Sequence, residues 1–354
     1  MPDRRNFLKT MACATAGTLV AGRWFLDAAA QSARREVTVG GRRVKVVDIH
    51  AHCGFREVEG VIRGTNLANN TVTANRILGP ERLREMDARG IDVAALSVNQ
   101  YWWYAADEDL ARRFIRVQDE AMAEWCQAHP DRFVGLTSVA LQHPHLAAEQ
   151  LEYAVKQLGL RGASVGGHVM GEVPSSPRFD PFWAKAEELG APVFMHPDNS
   201  KNIVRPGALE GRLDLSNTIG NPLETTLFLS RMIFDGTLDR FPGLRICGAH
   251  GGGYLPSYLG RSEVACRRGN PDCGNQKNPS EYLKTQILAD SMVFSSEGLR
   301  HLVAEMGASQ VVYGSDLPFQ WPDTIDLILE APFLSDAEKE AVLGGNLMRL
   351  LRIT

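Results

Sequence analysis

The sequence predicts an α/β chain folded as a (β/α)8 barrel of the TIM type, with loop insertions over its C-terminal face. Three observations carry that expectation. Eight short apolar runs alternate with helical stretches along the chain. Most of these runs lack polar alternation, as parallel strands buried on both faces do. No Gly-x-Gly-x-x-Gly follows the first run, which weakens the other alternating arrangement, an open doubly wound sheet.

The strand-like runs are residues 44–49, 93–98, 133–139, 162–166, 192–195, 244–248, 286–289 and 311–314. The helical stretches between them carry start and stop signals. The stretch 80–88 opens on Pro80 and stops at Gly90. Residues 109–128 form a long amphipathic pattern, 146–158 ends at Gly159, and 181–189 ends at Gly190. Residues 223–240 run to Phe241-Pro242-Gly243, and 298–306 precedes Gly307. Insertions at 53–79 and 197–221 follow strands and are expected over the mouth of the barrel.

At 354 residues the chain accommodates a barrel of about 250 residues with insertions. A hydrophobic fraction of 44% with 23% charged residues excludes a disordered chain. A net charge of −4 excludes the dominant basic field of a nucleic-acid binder.

Residues 1–30 read as an export signal. Arg4-Arg5-Asn6-Phe7-Leu8-Lys9 resembles a twin-arginine motif. A short apolar stretch of Ala, Gly and Thr follows, and Ala28-Ala29-Ala30 is a small-residue cleavage site. The stretch is too short for a membrane span, which takes about 20 apolar residues. A periplasmic or otherwise exported chain is expected, with 31–354 as the mature barrel domain and no stable membrane anchor. Removing the signal takes away four basic and two acidic residues, and the charge moves from −4 to −6. Five cysteines remain. That odd, scattered set is no disulfide framework, although Cys266 and Cys273 are close enough to pair after export.

Five of the nine histidines fall at predicted strand ends: His50, His52, His168, His196 and His250. In a barrel these ends meet at one mouth. Residues two apart on a strand share a side, so His50 and His52 can bind one metal together. The same spacing in His143-Pro144-His145 reads as a surface helix start. Asp316 ends the last apolar run, where its carboxylate could complete a metal shell or merely form a turn before Pro318. The plainer reading of His196 is a core histidine under a loop, which the recurrence of histidines at strand ends makes the lesser one. His250 precedes three glycines, which would leave open space beside a reactive imidazole; the plainer reading is a turn histidine.

Together the motifs resemble the metal-dependent amidohydrolase-related family, in the branch of aminocarboxymuconate-semialdehyde decarboxylases and resorcylate-type decarboxylases. The matching pieces are Val47-Asp48-Ile49-His50-Ala51-His52, Leu83-Arg84-Glu85-Met86-Asp87, Arg132-Phe133-Val134-Gly135-Leu136 and Asn221-Pro222-Leu223-Glu224-Thr225-Thr226. Phe241-Pro242, Ala249-His250-Gly251-Gly252-Gly253, Pro256, Gly260-Arg261, Tyr313-Gly314-Ser315-Asp316 and Pro318-Phe319 complete the set.

The resemblance implies one divalent metal, zinc in most of the family, held by His50, His52, His196 and Asp316 with a water completing the shell. It implies that His250 is the catalytic histidine beside that water. It also implies that Arg261 binds a substrate carboxylate across a homodimer interface. His168 and Trp102, the latter within Tyr101-Trp102-Trp103-Tyr104, are expected to line the pocket. Two features depart from the muconate enzymes. Asp198 stands where they carry tryptophan, and their arginine in the first insertion has no match: Arg63 and Arg76 lie out of register, with Thr71 nearest.

The leading expectation is a non-oxidative decarboxylase of an aromatic or unsaturated carboxylic acid. A metal-dependent hydrolase of a lactone, ester or amide would use a similar shell. An exported metal-binding protein without catalysis is the third reading.

Overall fold

The computed structural model describes residues 34–267 and 271–354, so the export-signal expectation lies outside the described residues. The barrel strands are β1 (Val47–His52), β2 (Val93–Ser97), β3 (Phe133–Ser138), β4 (Gly162–Gly166), β5 (Val193–His196), β6 (Ile246–Gly248), β7 (Ile287–Asp290) and β8 (Val311–Val312). Each pairs in parallel with the next. The eight predicted runs and the observed strands coincide to within a few residues.

β8 is only two residues long, and the barrel closes just beyond it. Ile49 N–H donates to Tyr313 O at 3.1 Å and His52 N–H to Leu317 O at 2.7 Å, beside a parallel bridge between Ala51 and Leu317. A short antiparallel ribbon, Thr38–Val39 with Arg42–Arg43, precedes the barrel and was not anticipated.

The helices around the sheet are α1 (Pro80–Arg89), α2 (Glu108–Ala128), α3 (Pro144–Lys156), α4 (Asp180–Leu189), α5 (Asn221–Phe234), α6 (Leu255–Arg267) and α7 (Ser296–Met306). Local chemistry fixes their ends. Asp107 caps α2 by accepting from Leu110 N–H, and Gly90 ends α1 in the left-handed conformation. His143 and Pro144 start α3, as a surface helix start should.

The single helix expected over 223–240 is instead α5 followed by Thr237–Arg240. Gly236 breaks it at φ 70°, where a Cβ would also approach Gly274 O at 3.1 Å. The short helices Glu57–Ile62, Pro279–Thr285, Ile325–Leu329, Asp336–Glu340 and Asn346–Leu350 lie in segments too short to carry a periodic signal.

Inside the barrel, Ile49, Leu136, Phe194, Cys247, Leu288 and Val312 pack together, with Leu347 and Leu351 of the last turns in the same cluster. A larger layer lies between sheet and helices and includes Ala51, Leu96, Ala163, Phe182 and Trp183. Among the described residues no helix is long and apolar enough to cross a membrane. Cys266 and Cys273 form a disulfide at the end of α6.

Candidate metal centre

β1 pairs with β2 through a bulge. Val47 and Asp48 face Val93 and Ala94, then the register shifts, and Ala51 and His52 face Leu96 and Ser97. Two residues, Ile49 and His50, therefore oppose one. Such an extra residue re-aims the side chains that follow it. Val47 and Ile49 join the barrel interior, whereas Ala51 packs into the outer layer. His50 and His52 thereby share the inner side at the mouth. Asp48 fastens the bulge: its carboxylate accepts from His50 N–H at 2.8 Å, Ser315 N–H at 3.0 Å and Ser315 Oγ at 2.5 Å. Arg82 of α1 donates to His52 O at 2.8 Å.

The side chains of His50, His52, His196 and Asp316 converge, with one ligand atom from each lying within 4.8 Å of all the others. His50 Nε2 is 3.3 Å from His52 Nε2, and Asp316 Oδ1 is 3.1 Å from the former and 2.7 Å from the latter. Tetrahedral bonds of roughly 2.0–2.1 Å require ligand atoms at about this spacing. Asp316 Oδ1 meets both imidazoles at ion-pair distance, yet no hydrogen bond satisfies it. An oxygen and three ring nitrogens gathered this closely suit a shared cation. The four residues are at most 5% exposed.

The imidazoles are fixed from behind. His50 Nδ1 donates to Asp290 Oδ2 at 2.8 Å, leaving Nε2 for the cluster. His196 Nδ1 donates to Pro197 O at 2.8 Å, with the same result. His52 Nδ1 has no partner. Burial opposes charge on every one of these rings. At His50 the neighbouring Asp316 and Asp290 outweigh burial, and the pKa rises to about 10. At His52 burial wins and the pKa falls to about 4; His196 is likewise held well below the ordinary value. Burial would raise Asp316, but His50 and His52 hold it well below the usual carboxylate range. The carboxylates thus demand a positive charge here, as a proton on His50 or as a metal ion.

His250 stands beside the four ligands rather than among them. Its ring centroid lies 5.2 Å from that of His50 and 5.4 Å from that of His196. Its backbone takes φ 55°, Asp290 accepts its N–H at 3.0 Å, and its Nδ1 is buried without a partner. Burial, with His50 nearby, lowers its pKa. The glycines after it do not leave open space. A Cβ on Gly253 would lie 2.2 Å from Pro222 O, so glycine is required for close backbone approach in a left-handed turn.

A cavity of about 450 Å³ opens over this floor, lined also by Arg76, Gln100, Asn217, Asn221, Phe319 and Trp321. Both insertions contribute to it, as expected. Arg76, set aside in the sequence as out of register, is in fact the cation of the cavity wall. It is 7% exposed and donates to Asn99 O and Gln100 Oε1, each at 2.7 Å. Its guanidinium lies 4.9 Å from the Tyr101 ring and 5.4 Å from the Phe319 ring. Among the described residues it makes no ion pair with a carboxylate.

Other expected pocket residues sit elsewhere. Trp102 is fully buried beneath the site; its Nε1 donates to Ser164 O at 2.9 Å and its ring lies 6.4 Å from that of His196. His168, 2% exposed, donates from Nε2 to Asn199 O at 3.0 Å and holds a loop rather than lining the cavity. Neither lines the cavity: Trp102 is bonded to β4, and His168 to the loop that follows β5. Arg261 is exposed on α6, in a cleft with Phe234 and the disulfide, away from the cavity of its own chain.

Residues 47–353 match the model of the amidohydrolase family. The chain is 32% identical over 275 residues to 2-amino-3-carboxymuconate-6-semialdehyde decarboxylase of Dictyostelium discoideum, covering 76% of this chain and 75% of that one. It is 30% identical over 292 residues to gamma-resorcylate decarboxylase of Rhodococcus jostii, covering 77% and 87%. The crystal structure of 5-carboxyvanillate decarboxylase from Sphingomonas paucimobilis superposes with a TM-score of 0.79 at 28% identity, covering 88% of this chain and all of that one.

Proposed function

The chain belongs to the amidohydrolase family, and from that premise we propose that it is a metal-dependent, non-oxidative decarboxylase of an aromatic or unsaturated carboxylic acid. The observation that carries this reading is Arg76. A nearly buried guanidinium with only neutral partners, facing a metal-ligand cluster across a cavity, is an anchor for an anionic substrate. Phe319 and Trp321 offer flat apolar surface to an unsaturated ring beside it.

His50, His52, His196 and Asp316 would hold one divalent ion, which supplies positive charge that draws in and polarises an anionic oxygen of the substrate. Zinc is the ion that three imidazoles and one carboxylate favour, and elemental analysis of protein purified without added metal identifies it. Arg76 orients the carboxylate. When the carbon–carboxylate bond breaks, carbon dioxide leaves and the electron pair stays on the substrate carbon, which must gain a proton. The His250 imidazole is placed to carry that proton. Mass spectrometry with a panel of hydroxybenzoates, muconates and lactones tests the reading: loss of carbon dioxide supports it, and gain of water replaces it with a hydrolase.

Two companion readings go with it. Arg261 would serve the site of a second copy in a homodimer. Tyr258 and Val264, three residues to either side of it on α6, lie exposed, as an interface requires. Mixing inactive Arg261→Ala and His250→Ala subunits should then restore activity, and no rescue after proven subunit exchange removes the dimeric site. The chain would act outside the cytoplasm after twin-arginine export. The Cys266–Cys273 disulfide suits an oxidising compartment. Cell fractionation with N-terminal sequencing checks for a mature chain starting at Gln31.

A further inference from the structure

His50 and His196 are oriented by different means. Asp290 touches the His50 imidazole directly. His196 instead meets a backbone carbonyl, and the same peptide group has a second partner. His196 Nδ1–H donates to Pro197 O at 2.8 Å, and Asp198 N–H, in the same amide plane, donates to Glu224 Oε1 at 2.7 Å. Glu224 comes from α5 and is 1% exposed. Its Oε1 also accepts from Gly167 N–H at 3.2 Å, just past β4. One carboxylate oxygen thus ties the ends of β4 and β5 to a helix.

The segment 197–199 is gripped from the other side as well. Gly171 N–H donates to His168 Nδ1 at 3.1 Å, which puts the His168 proton on Nε2, and Nε2 donates to Asn199 O at 3.0 Å. Gly167 is a glycine for the sake of this arrangement. A Cβ there would lie 2.5 Å from Glu224 Cγ and 2.6 Å from Oε1. Burial pushes the Glu224 carboxyl up to about 7. Either protonation state leaves Oε1 an acceptor, because Oε2 is unpartnered and can carry the proton.

We propose that Glu224 is a positioning residue for the metal ligand His196, acting through the Pro197–Asp198 peptide group. The carboxylate fixes and polarises that amide; its carbonyl holds Nδ1–H, and Nε2 of His196 is kept as a lone pair aimed at the cation. This is the outer-partner role that a carboxylate plays directly for His50, passed here through one peptide. The inference rests on the metal site described above and not on which reaction the site performs.

The test uses two readouts on the full chain: metal affinity by chelator competition, and ¹⁵N signals of labelled histidines in metal-free protein. Glu224→Leu removes the acceptor. Metal binding should weaken about 10- to 100-fold, the usual effect of losing an outer partner, and His196 should lose its Nδ1–H signature while His50 keeps its own. Glu224→Gln retains an acceptor oxygen and should restore both readouts to near wild type. Gly167→Ala displaces the carboxylate with its charge intact and should behave like the leucine variant.

Unchanged affinity and an unchanged His196 signature in Glu224→Leu overturn the proposal. So do signals of His50 and His52 that move together with those of His196, since that is general loosening. If Glu224→Leu does not fold, the other two variants decide: a His196 shift in Gly167→Ala but not in Glu224→Gln supports the role, and any other pattern overturns it. A protein that passes these tests yet releases no carbon dioxide leaves the inference standing and removes only the decarboxylase reading.

Discussion

Asp316 on the floor of the cavity and Arg76 on its wall are both charged and nearly sealed, at 5% and 7% exposure, yet their surroundings differ. Asp316 is met by the imidazoles of His50 and His52, which hold its carboxyl down against burial. Arg76 is met by a backbone carbonyl, a carboxamide and two ring faces, none of which cancels its charge. The floor gathers three imidazoles and one carboxylate closely enough to share one cation. The wall carries a charge that, among the described residues, no carboxylate cancels. Loss of a floor residue should therefore abolish the site, whereas loss of a wall residue should change how well it is filled.

The largest effect is expected from His52→Ala or Asp316→Ala. Elemental analysis should show metal falling from about one ion per chain to a trace, and activity should vanish with it. A metal-free preparation that is fully active would break the comparison at its root. His250→Ala should separate chemistry from metal retention. The ion should stay while kcat falls by at least about 10²-fold, the usual scale of a lost proton carrier. Metal loss in this variant would make His250 a fifth floor ligand instead.

Arg76→Met should leave the ion in place and act mainly on KM. Losing a charged hydrogen-bonding partner costs about 1.5–3 kcal/mol, which is roughly a tenfold to hundredfold rise. A fall in kcat at unchanged KM would show that Arg76 acts in the transition state rather than in binding.

The smallest effect concerns Asp119, a control outside the cavity. It is buried on α2 without any cation, its Oδ2 bonded to the Thr137 hydroxyl, and burial pushes its pKa up to about 8. The raised value means that its contribution to stability is present below about pH 4 and is lost as pH rises through about 8. Asp119→Asn should thus gain on wild type across that window and leave activity alone. Urea midpoints at about pH 5 and pH 9 measure it; an unchanged difference between the two would mean that burial alone does not govern this carboxyl.

The floor was legible because a parallel strand buried on both faces is an apolar run, and the residue that ends each run lies at the mouth. Strand ends brought His50, His52, His196 and Asp316 to the mouth together with His168 and His250, and the family resemblance singled out the four as a ligand set. The wall was not, because its residues come from insertions whose conformation has no period. Arg76 lies in a 3-10 turn, Ala74–Arg76, and gains its place from contacts with Asn99, Gln100 and Tyr101 far along the chain. Its local signal is an arginine in an insertion over the mouth, which register with the muconate enzymes does not pick out. Trp102 and His168 were misplaced for the converse reason. Both follow strands, yet turns beyond the strand end carry their side chains into the packing, and strand spacing says nothing of turns.

The seam of the barrel gives the ion a second importance. β8 is two residues long, and the sheet closes through Tyr313 and Leu317, on the chain that carries Asp316, against the strand that carries His50 and His52. His50 and His52 stand on one bank of that seam and Asp316 on the other. A cation bridging them would be a rivet across that joint, and its binding free energy would also be free energy of closure. Demetallation would then do more than silence chemistry. It would loosen the seam and leave it to the main-chain bonds of Ile49 and His52 and to the contacts of Asp48 with Ser315.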